Sequence, residues 1–303
     1  MGEAMRPRSI CRAYAHACSI SVIIDAAVPR PGLSSFSKPR PDLDPVGFAA
    51  YSPIAYEMCL CSCEEGAKLA HLFSRSGTWC RCWNKAIRHM KRWGNVGLGS
   101  SLLLALQGAA LGYAFEKYAK ISIDHVAGST VYVLSLCGRA GTKYFYDSLR
   151  LLTPSYLGRL SWSGLPDASQ PLIDVGGLPP FQELIKLASL YDPVSFDAHT
   201  MFSLSFGLAL PILGETPCLT IATKRATYLL ASMLDDFLLK RKLGRTLRSL
   251  WERAAEGDRS AEAELENILR HEGPGSVADI VINALARRIF DALILNEPLY
   301  LSC

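Results

Sequence analysis

The stretch Thr223–Gly244, TKRATYLLASMLDDFLLKRKLG, carries the clearest periodic pattern in this chain of 303 residues. Its apolar side chains recur at intervals of three and four, which places them on one face of an α-helix. They are Ala226, Leu229, Leu230, Met233, Leu234, Phe237 and Leu238. Because Gly244 follows as a typical helix stop, the stretch predicts one long amphipathic helix.

Helical signals of the same kind mark three other segments. Lys143–Leu152 is closed by a Thr-Pro pair, and another helix follows Pro180 and ends near Asp192. The last helix is expected to begin with Ser276 as its N-cap and Asp279 as the capping-box partner three residues on. The chain therefore favours helices over strands.

These patterns predict an all-α fold, a single helical domain with long functional loops. We expect residues 1–20 to be an N-terminal extension and residues 21–303 to form the domain. Val131–Leu136 could be a short strand, but it has neither a hairpin partner nor a turn signal. The segments expected to be irregular are Val28–Pro45, Ser155–Pro180 and Trp251–Ser260.

The composition is that of a folded protein, since 50% of the residues are hydrophobic and can bury a sizeable core. The net charge of +4 is spread along the chain, which argues against nucleic acid as a partner. The N-terminus shows no signal peptide, so we expect a cytoplasmic location. Val96–Ala114 and Met201–Gly214 are apolar enough to test as membrane spans, but small residues in the first and Pro211 in the second favour buried helices.

Five of the ten cysteines fall close together in the sequence, and three states are open for them. Reduced thiols are expected in a cytosol, although intracellular proteins of hyperthermophiles keep disulfides. Four thiolates could instead hold zinc, or a disulfide could join a pair such as Cys63 and Cys80. The five residues are Cys59, Cys61, Cys63, Cys80 and Cys82.

The loop that begins Pro-Arg-Pro-Gly combines cations with carboxylates. Arg30, Gly32, Asp42 and Asp44 fall within it, together with Lys38 and Arg40. A triphosphate needs cations, and carboxylates are the oxygen ligands that Mg²⁺ prefers. The loop is therefore a candidate phosphate and magnesium site, or alternatively a solvated linker.

A glycine-rich turn precedes the uncharged stretch. Asn95, Gly97 and Gly99 let a ligand approach the backbone, and free N–H groups at a helix start favour an anion. The alternative is an asparagine cap on a tightly packed core helix.

Other carboxylates lie near predicted helix ends. Asp192, Asp197, Asp236 and Asp279 are of this kind, and Asp236 precedes the basic run Lys240–Lys242. Ion pairs across a helix turn, or a cap in the case of Asp279, explain each of them without a catalytic role.

Six short sequence motifs, taken in their order along the chain, can be compared with those of known families. They are PRPG (Pro29–Gly32), DLD (Asp42–Asp44) with Phe48, NVGLG (Asn95–Gly99), YDSLRLLTPSYLG (Tyr146–Gly158), DFLLKRKLG (Asp236–Gly244) and GPGSVAD (Gly273–Asp279). In this order, from about Ser21 to Leu295, they resemble the motifs of the triphosphoribosyl-dephospho-coenzyme A synthase family.

The resemblance implies an all-α pentosyltransferase that moves the triphosphoribosyl group of ATP onto the 2′-hydroxyl of 3′-dephospho-coenzyme A and releases adenine. ATP and the acceptor would be its partners, and Mg²⁺ is the expected cofactor. Separately, the small-residue surface of the uncharged stretch fits a homodimer as well as a core. The catalytic candidates are Asp42, Asp44, Asp192, Asp236 and Asp279, of which the first four are also candidate magnesium ligands. The candidates for binding ATP or its phosphates are Arg30, Gly32, Asn95, Gly97, Gly99, Arg241 and Lys242.

Several family positions carry different residues here. Arg30 replaces a lysine, Val96 and Gly97 replace polar residues, and Leu243 replaces a histidine. Each exchange removes a polar group or alters its reach. Two alternatives therefore stay open: a nucleotide ribosyltransferase with another acceptor, and a catalytically silent nucleotide-binding protein.

Overall fold

The computed structural model describes residues 6–40, 43–71, 79–154, 165, 167–169, 177–234, 247–270 and 273–301. Within these ranges the chain forms thirteen α-helices and no strand, and only isolated β-bridges occur. The prediction of an all-α fold is confirmed.

The helices among the described residues are numbered in chain order. They are α1 (Pro7–Ala27), α2 (Pro45–Leu69), α3 (Trp79–Met90), α4 (Leu98–Tyr118), α5 (Ile123–Ser135), α6 (Gly138–Leu152), α7 (Phe181–Ala188), α8 (Pro193–His199), α9 (Leu210–Gly214), α10 (Leu219–Leu234), α11 (Arg248–Ala255), α12 (Arg259–Ile268) and α13 (Gly275–Leu295). A 3₁₀ turn, Lys91–Trp93, extends α3, and a π-helical turn, Ser205–Ala209, precedes α9.

The core is built around α4, which is apolar on every side. It packs against α2, α5 and α13, while α1 packs against α2 and α13. Such a helix must be surrounded by protein or lipid, because it has no polar face to offer water. In this fold it is surrounded by the other helices, and residues such as Leu103 and Ala105 are fully buried.

Small residues bring α2 and α4 into backbone contact. A β-carbon on Gly112 would overlap the carbonyl oxygen of Cys63, and one on Gly66 would overlap the backbone of Ala109. The glycines of the uncharged stretch therefore serve helix packing as well as the turn in front of it.

Most of the predicted helix positions agree with the structure. The segment before Leu152 is α6 and the one after Pro180 is α7. The stretch that starts near Thr223 is helical as far as Leu234, and the rest of that prediction lies outside the described residues. Two predictions are wrong: Trp251–Ser260 is not irregular but lies largely in α11 and α12, and Ser276 does not cap the last helix, whose N-cap is Pro274. Val131–Leu136, for which a strand lacked supporting signals, belongs largely to α5.

The N-terminal region contributes to the core. The boundary expected at residue 20 falls inside α1, and Ile10 and Tyr14 in its first half are fully buried. Two helices, α1 and α4, are long and apolar enough by length and composition to cross a membrane, but most of each is buried within the protein. Helices of a protein core pass the same test, so this observation identifies no membrane span.

Among the described residues three disulfides join α1 to α2, α2 to α3, and α3 to the residue before α6, which corrects two expectations about the cysteines. Cys63 pairs with Cys11 rather than with Cys80, and six cysteines are oxidised rather than reduced. The other pairs are Cys61–Cys82 and Cys80–Cys137. No group of three or more His, Cys, Asp or Glu side chains able to hold a metal ion occurs among the described residues, so a zinc site is not supported.

Loss of a disulfide is expected to lower stability. The bond between Cys11 and Cys63 spans 52 residues, and closing a loop of that length restricts the unfolded chain by about 4 kcal/mol. Replacing both cysteines by alanine should reduce the free energy of unfolding by that order, measured by denaturant titration. Cys18→Ala, which removes a buried sulfur without breaking a disulfide, is the control. Equal stability of the oxidised and the reduced parental protein would contradict the bond's contribution.

Candidate active site

Three helices begin at the same place in the fold. The N-termini of α4 and α13 lie side by side. Gly99 in α4 is so close to Asp279 in α13 that a β-carbon on Gly99 would overlap Asp279 Oδ2. The same β-carbon would lie 2.9 Å from Val194 in the first turn of α8. Helix N-termini carry unpaired N–H groups and a partial positive charge, so the junction suits anionic groups.

Asp279 stands at the centre of this junction. Its Oδ1 accepts a hydrogen bond of 2.8 Å from the backbone N–H of Ser100 in α4, a residue of another helix. The expected capping box, in which Asp279 would serve its own helix, is therefore wrong. The carboxylate joins the starts of α4 and α13 and leaves Oδ2 beside Gly99.

Burial raises the pKa of Asp279 to about 7. The negative charges of Asp25 and Asp192 raise it further, whereas hydrogen bonds from Ser100 lower it in part. A carboxyl group with such a pKa exchanges a proton near neutral pH, as a general acid or base must.

Asp192 is the N-cap of α8. Its Oδ2 accepts hydrogen bonds from the backbone N–H of Ser195 at 2.8 Å and from the Ser195 hydroxyl at 2.7 Å. Burial raises the pKa of Asp192, and the bonds from Ser195 oppose the shift. The capping role explains its position, while its charge is close enough to act on Asp279.

Arg30 is buried, with 2% of its surface exposed, and its guanidinium is bonded within the protein. It forms an ion pair with Asp25 and donates hydrogen bonds to the Asp25 carbonyl at 2.9 Å and to Thr227 Oγ1 at 3.0 Å. The structure thus places Arg30 as a link between the end of α1 and α10. Burial raises the pKa of Asp25, and Arg30 lowers it in part.

The Pro-Arg-Pro-Gly turn packs against the start of α13. Gly32 has a φ of 72°, which favours glycine, and its carbonyl accepts a hydrogen bond of 2.9 Å from Arg40. A β-carbon on Gly273 would overlap that same carbonyl. Two motifs about 240 residues apart in sequence therefore meet at one edge of the junction.

The glycine-rich turn before α4 forms the opposite edge. Asn95 Oδ1 accepts a hydrogen bond of 3.2 Å from the N–H of Leu98, the first residue of α4, although the N-cap position itself is occupied by Gly97. A β-carbon on Gly97 would lie 2.5 Å from the ring of Tyr51. The Tyr51 hydroxyl is 3.4 Å from Ser100 Oγ, so Tyr51 supports the turn from α2.

The remaining predicted residues divide into two groups. Asp44 is exposed at the N-cap of α2, where it accepts a hydrogen bond of 2.8 Å from Val46 N. Asp42, Asp236, Arg241 and Lys242 lie outside the described residues. Among the described residues no metal-binding cluster forms around Asp44 or Asp192, so they alone do not fit a magnesium ion.

A second buried carboxylate lies deeper along α8. Asp197 is fully buried and accepts hydrogen bonds from the N–H groups of Leu204 and Ser205 at 2.8 and 3.0 Å. Burial raises its pKa to about 6. These bonds hold the backbone segment that precedes the π-helical turn, and Met201 and Phe202 of that segment have positive φ. Asp197 therefore fixes the loop behind the junction.

Asp25 and Ser100 are site residues that the sequence patterns did not single out. Asp25 follows the apolar run Val22–Ile24, and a lone carboxylate beside such a run is a signal of a buried ion pair. Ser100 gives no comparable signal, because its backbone N–H is the group that binds Asp279.

Fold and site together define an all-α protein with a carboxylate site between helix N-termini. A family model described as ATP:dephospho-CoA triphosphoribosyl transferase matches residues 11–296, and the chain belongs to this family of transferases. No curated protein and no solved structure gives a match.

Proposed function

We propose that this protein transfers the triphosphoribosyl group of ATP to the 2′-hydroxyl of 3′-dephospho-coenzyme A and releases adenine. The family description supports the reaction class and names both substrates. The observation that carries the proposal is the position of Asp279, a carboxyl group with a pKa of about 7 at the meeting point of the helix N-termini.

The proposed chemistry assigns one task to each part of the junction. The acceptor oxygen forms a bond to ribose C1′ as the bond from C1′ to the adenine nitrogen breaks, and adenine leaves with the electron pair. Asp279 takes the proton of the acceptor hydroxyl, and this proton passes through water to the departing adenine, which regenerates the carboxylate. The negative charges of Asp25 and Asp192 stabilise the positive charge that develops on the ribose.

The phosphates would lie at the glycine-rich turn. The N–H groups of Leu98 and Ser100 are bonded to Asn95 and Asp279, so it is the partial positive charge of the α4 N-terminus that would favour an anion here. Arg241 and Lys242 are proposed as further phosphate ligands, and Asp42 and Asp236 as magnesium ligands. These roles rest on the sequence, as do a cytoplasmic location, a homodimer and the absence of membrane and nucleic-acid partners.

The reaction is tested by incubating the purified protein with ATP, Mg²⁺ and 3′-dephospho-coenzyme A. Free adenine is followed by chromatography and the coupled product by its mass. Adenine together with the triphosphoribosyl adduct is the expected result. Adenine without the adduct would indicate that the acceptor is a different molecule. ATP binding without release of adenine would overturn the proposed reaction and indicate a catalytically silent nucleotide-binding protein.

The rate of transfer is expected to depend on pH with the pKa of Asp279. The base form of Asp279 is ionised, so the rate should rise with pH through about 7 and level off about one pH unit above it. Single-turnover rates of adenine release between pH 5.5 and 8.5 measure the profile. A flat profile over this range would exclude Asp279 as the base.

A further inference from the structure

A cavity of about 400 Å³ lies between α2 and α3, and its lining includes neither Asp279 nor the residues that contact it. We call it the α2–α3 groove. One wall is α3 with the 3₁₀ turn, including Lys85, His89, Arg92 and Trp93, and the other is α2, including Ile54 and Glu57. Its volume is within the range of small-molecule sites.

The wall formed by α3 is unusually basic. The segment Trp79–Trp93 contains Arg81, Lys85, Arg88, Lys91 and Arg92 but no aspartate or glutamate. His89 follows Lys85 by four residues, and Arg92 follows His89 by three. This spacing places the three basic residues on one helix face. That face is the one that lines the groove.

These basic side chains are unpaired within the described part of the chain. Lys85, His89 and Arg92 make no ion pair or side-chain hydrogen bond there, and α3 offers no carboxylate four residues away. On α6, by contrast, Lys143 pairs with Asp147 one turn later at 2.5 Å. The basic face of the groove thus has charge available for an anionic ligand.

The rest of the groove suits a planar aromatic group. Trp93 is 43% exposed at the end that carries Arg92, and Pro53, Ile54 and Met58 supply an apolar wall. Stacking on an indole ring favours a nucleobase, and the cations favour phosphates. Glu57 can accept hydrogen bonds from amino or hydroxyl groups of the ligand.

A disulfide holds the two walls at a fixed separation. Cys61 of α2 and Cys82 of α3 both line the groove and are bonded, with their Cα atoms 5.9 Å apart. The groove is therefore formed before a ligand arrives, which lowers the cost of binding.

We propose that the α2–α3 groove is a second nucleotide-binding site, which takes the adenosine 5′-diphosphate portion of a ligand. Lys85 and Arg92 bind the phosphates, and Trp93 stacks on the base. Both ATP and 3′-dephospho-coenzyme A contain this portion. Binding in the groove requires no transfer reaction, and only the choice between these two sources rests on the proposed function.

The site is tested by titrating ADP into the protein in the presence of EDTA and measuring heat and stoichiometry. Charge reversal in Lys85→Glu/Arg92→Glu is expected to weaken one class of ADP sites by at least about tenfold. The matched control is Arg81→Glu/Lys91→Glu, which makes the same charge change on the same segment outside the groove. Circular dichroism and thermal melting establish that both variants are folded.

Two results would overturn the proposal. One is equal ADP binding by the parental protein, the groove variant and the control. The other is binding of inorganic phosphate as tightly as ADP, which would remove the contribution of the base. Trp93→Ala is expected to weaken ADP binding while leaving phosphate binding unchanged.

The source of the ligand is identified by steady-state kinetics of the same variants. A higher KM for 3′-dephospho-coenzyme A in the groove variant, with the KM for ATP unchanged, would support the groove as the acceptor's site. A change confined to ATP would support a second ATP site. If adenine is never released, the proposed reaction fails while the ADP titration still decides whether the groove binds nucleotides.

Discussion

Replacement of Asp279 by asparagine is expected to lower the rate of adenine release by about 10²–10⁴-fold, the usual contribution of a general base. Asparagine can still accept the hydrogen bond from Ser100 N, so the junction of α4 and α13 should remain intact. What the variant loses is the group that takes the acceptor's proton. Single-turnover adenine release with saturating ATP and acceptor measures the loss.

The same variant is expected to be more stable than the parental protein at pH 8. Because the pKa of Asp279 is raised from 3.8 to about 7, the folded protein binds more protons than the unfolded chain between these values. The parental protein therefore loses stability as pH rises through this interval, and asparagine removes that loss. A higher Tm together with lost activity would separate a catalytic role from a purely structural one.

The control is Asp124→Asn, which changes an exposed carboxylate in the first turn of α5. It should leave both the rate and the Tm unchanged. Folded Asp279→Asn protein that transfers at the parental rate would show that another group accepts the proton.

Replacement of Gly112 by valine is expected to destabilise the fold by at least about 3 kcal/mol. The new side chain would begin where the Cys63 carbonyl oxygen lies, and backbone atoms of a packed helix cannot rotate away as a side chain can. Since domains of this kind have a total stability of about 5–15 kcal/mol, much of the protein should unfold in mild denaturant. The midpoint of urea unfolding measures the effect.

Gly128→Val is the matched control. Gly128 is an exposed residue of α5, and a β-carbon there would meet nothing within 4 Å. Valine at this position should keep or slightly raise stability, because it removes the flexibility of glycine from a helix. Similar unfolding midpoints for the two valine variants would refute backbone contact between α2 and α4.

Local patterns were sufficient to predict some of the helices, but not α11 or the start of α12, where an irregular segment was expected. In α6, α7 and α10 the spacing of apolar residues can be read from the local sequence alone. The packing of these helices in the fold agrees with that spacing. The start of α13 was misplaced by the same kind of rule, since Ser276 has the residue type of a cap while Pro274 occupies the position. A local rule does not account for the loop at Gly32 that packs on this helix start.

The site depended on contacts that a local pattern does not contain. Asp279 binds the backbone of Ser100, 179 residues away, and any residue type could supply that N–H group. Arg30 was predicted to bind phosphate from its charge, yet its partner Asp25 lies only five residues before it. The cysteine pairing was also beyond prediction, because spacing does not determine connectivity.

The burial of α4 has a consequence for how the chain is made. The apolar helix α4 leaves the ribosome after α1 and α2, so the surface of α2 that covers it has already been synthesised. Only the face that awaits α13, the last helix, stays uncovered until translation ends. The order of the helices along the gene thus limits the time during which this apolar surface is open to aggregation.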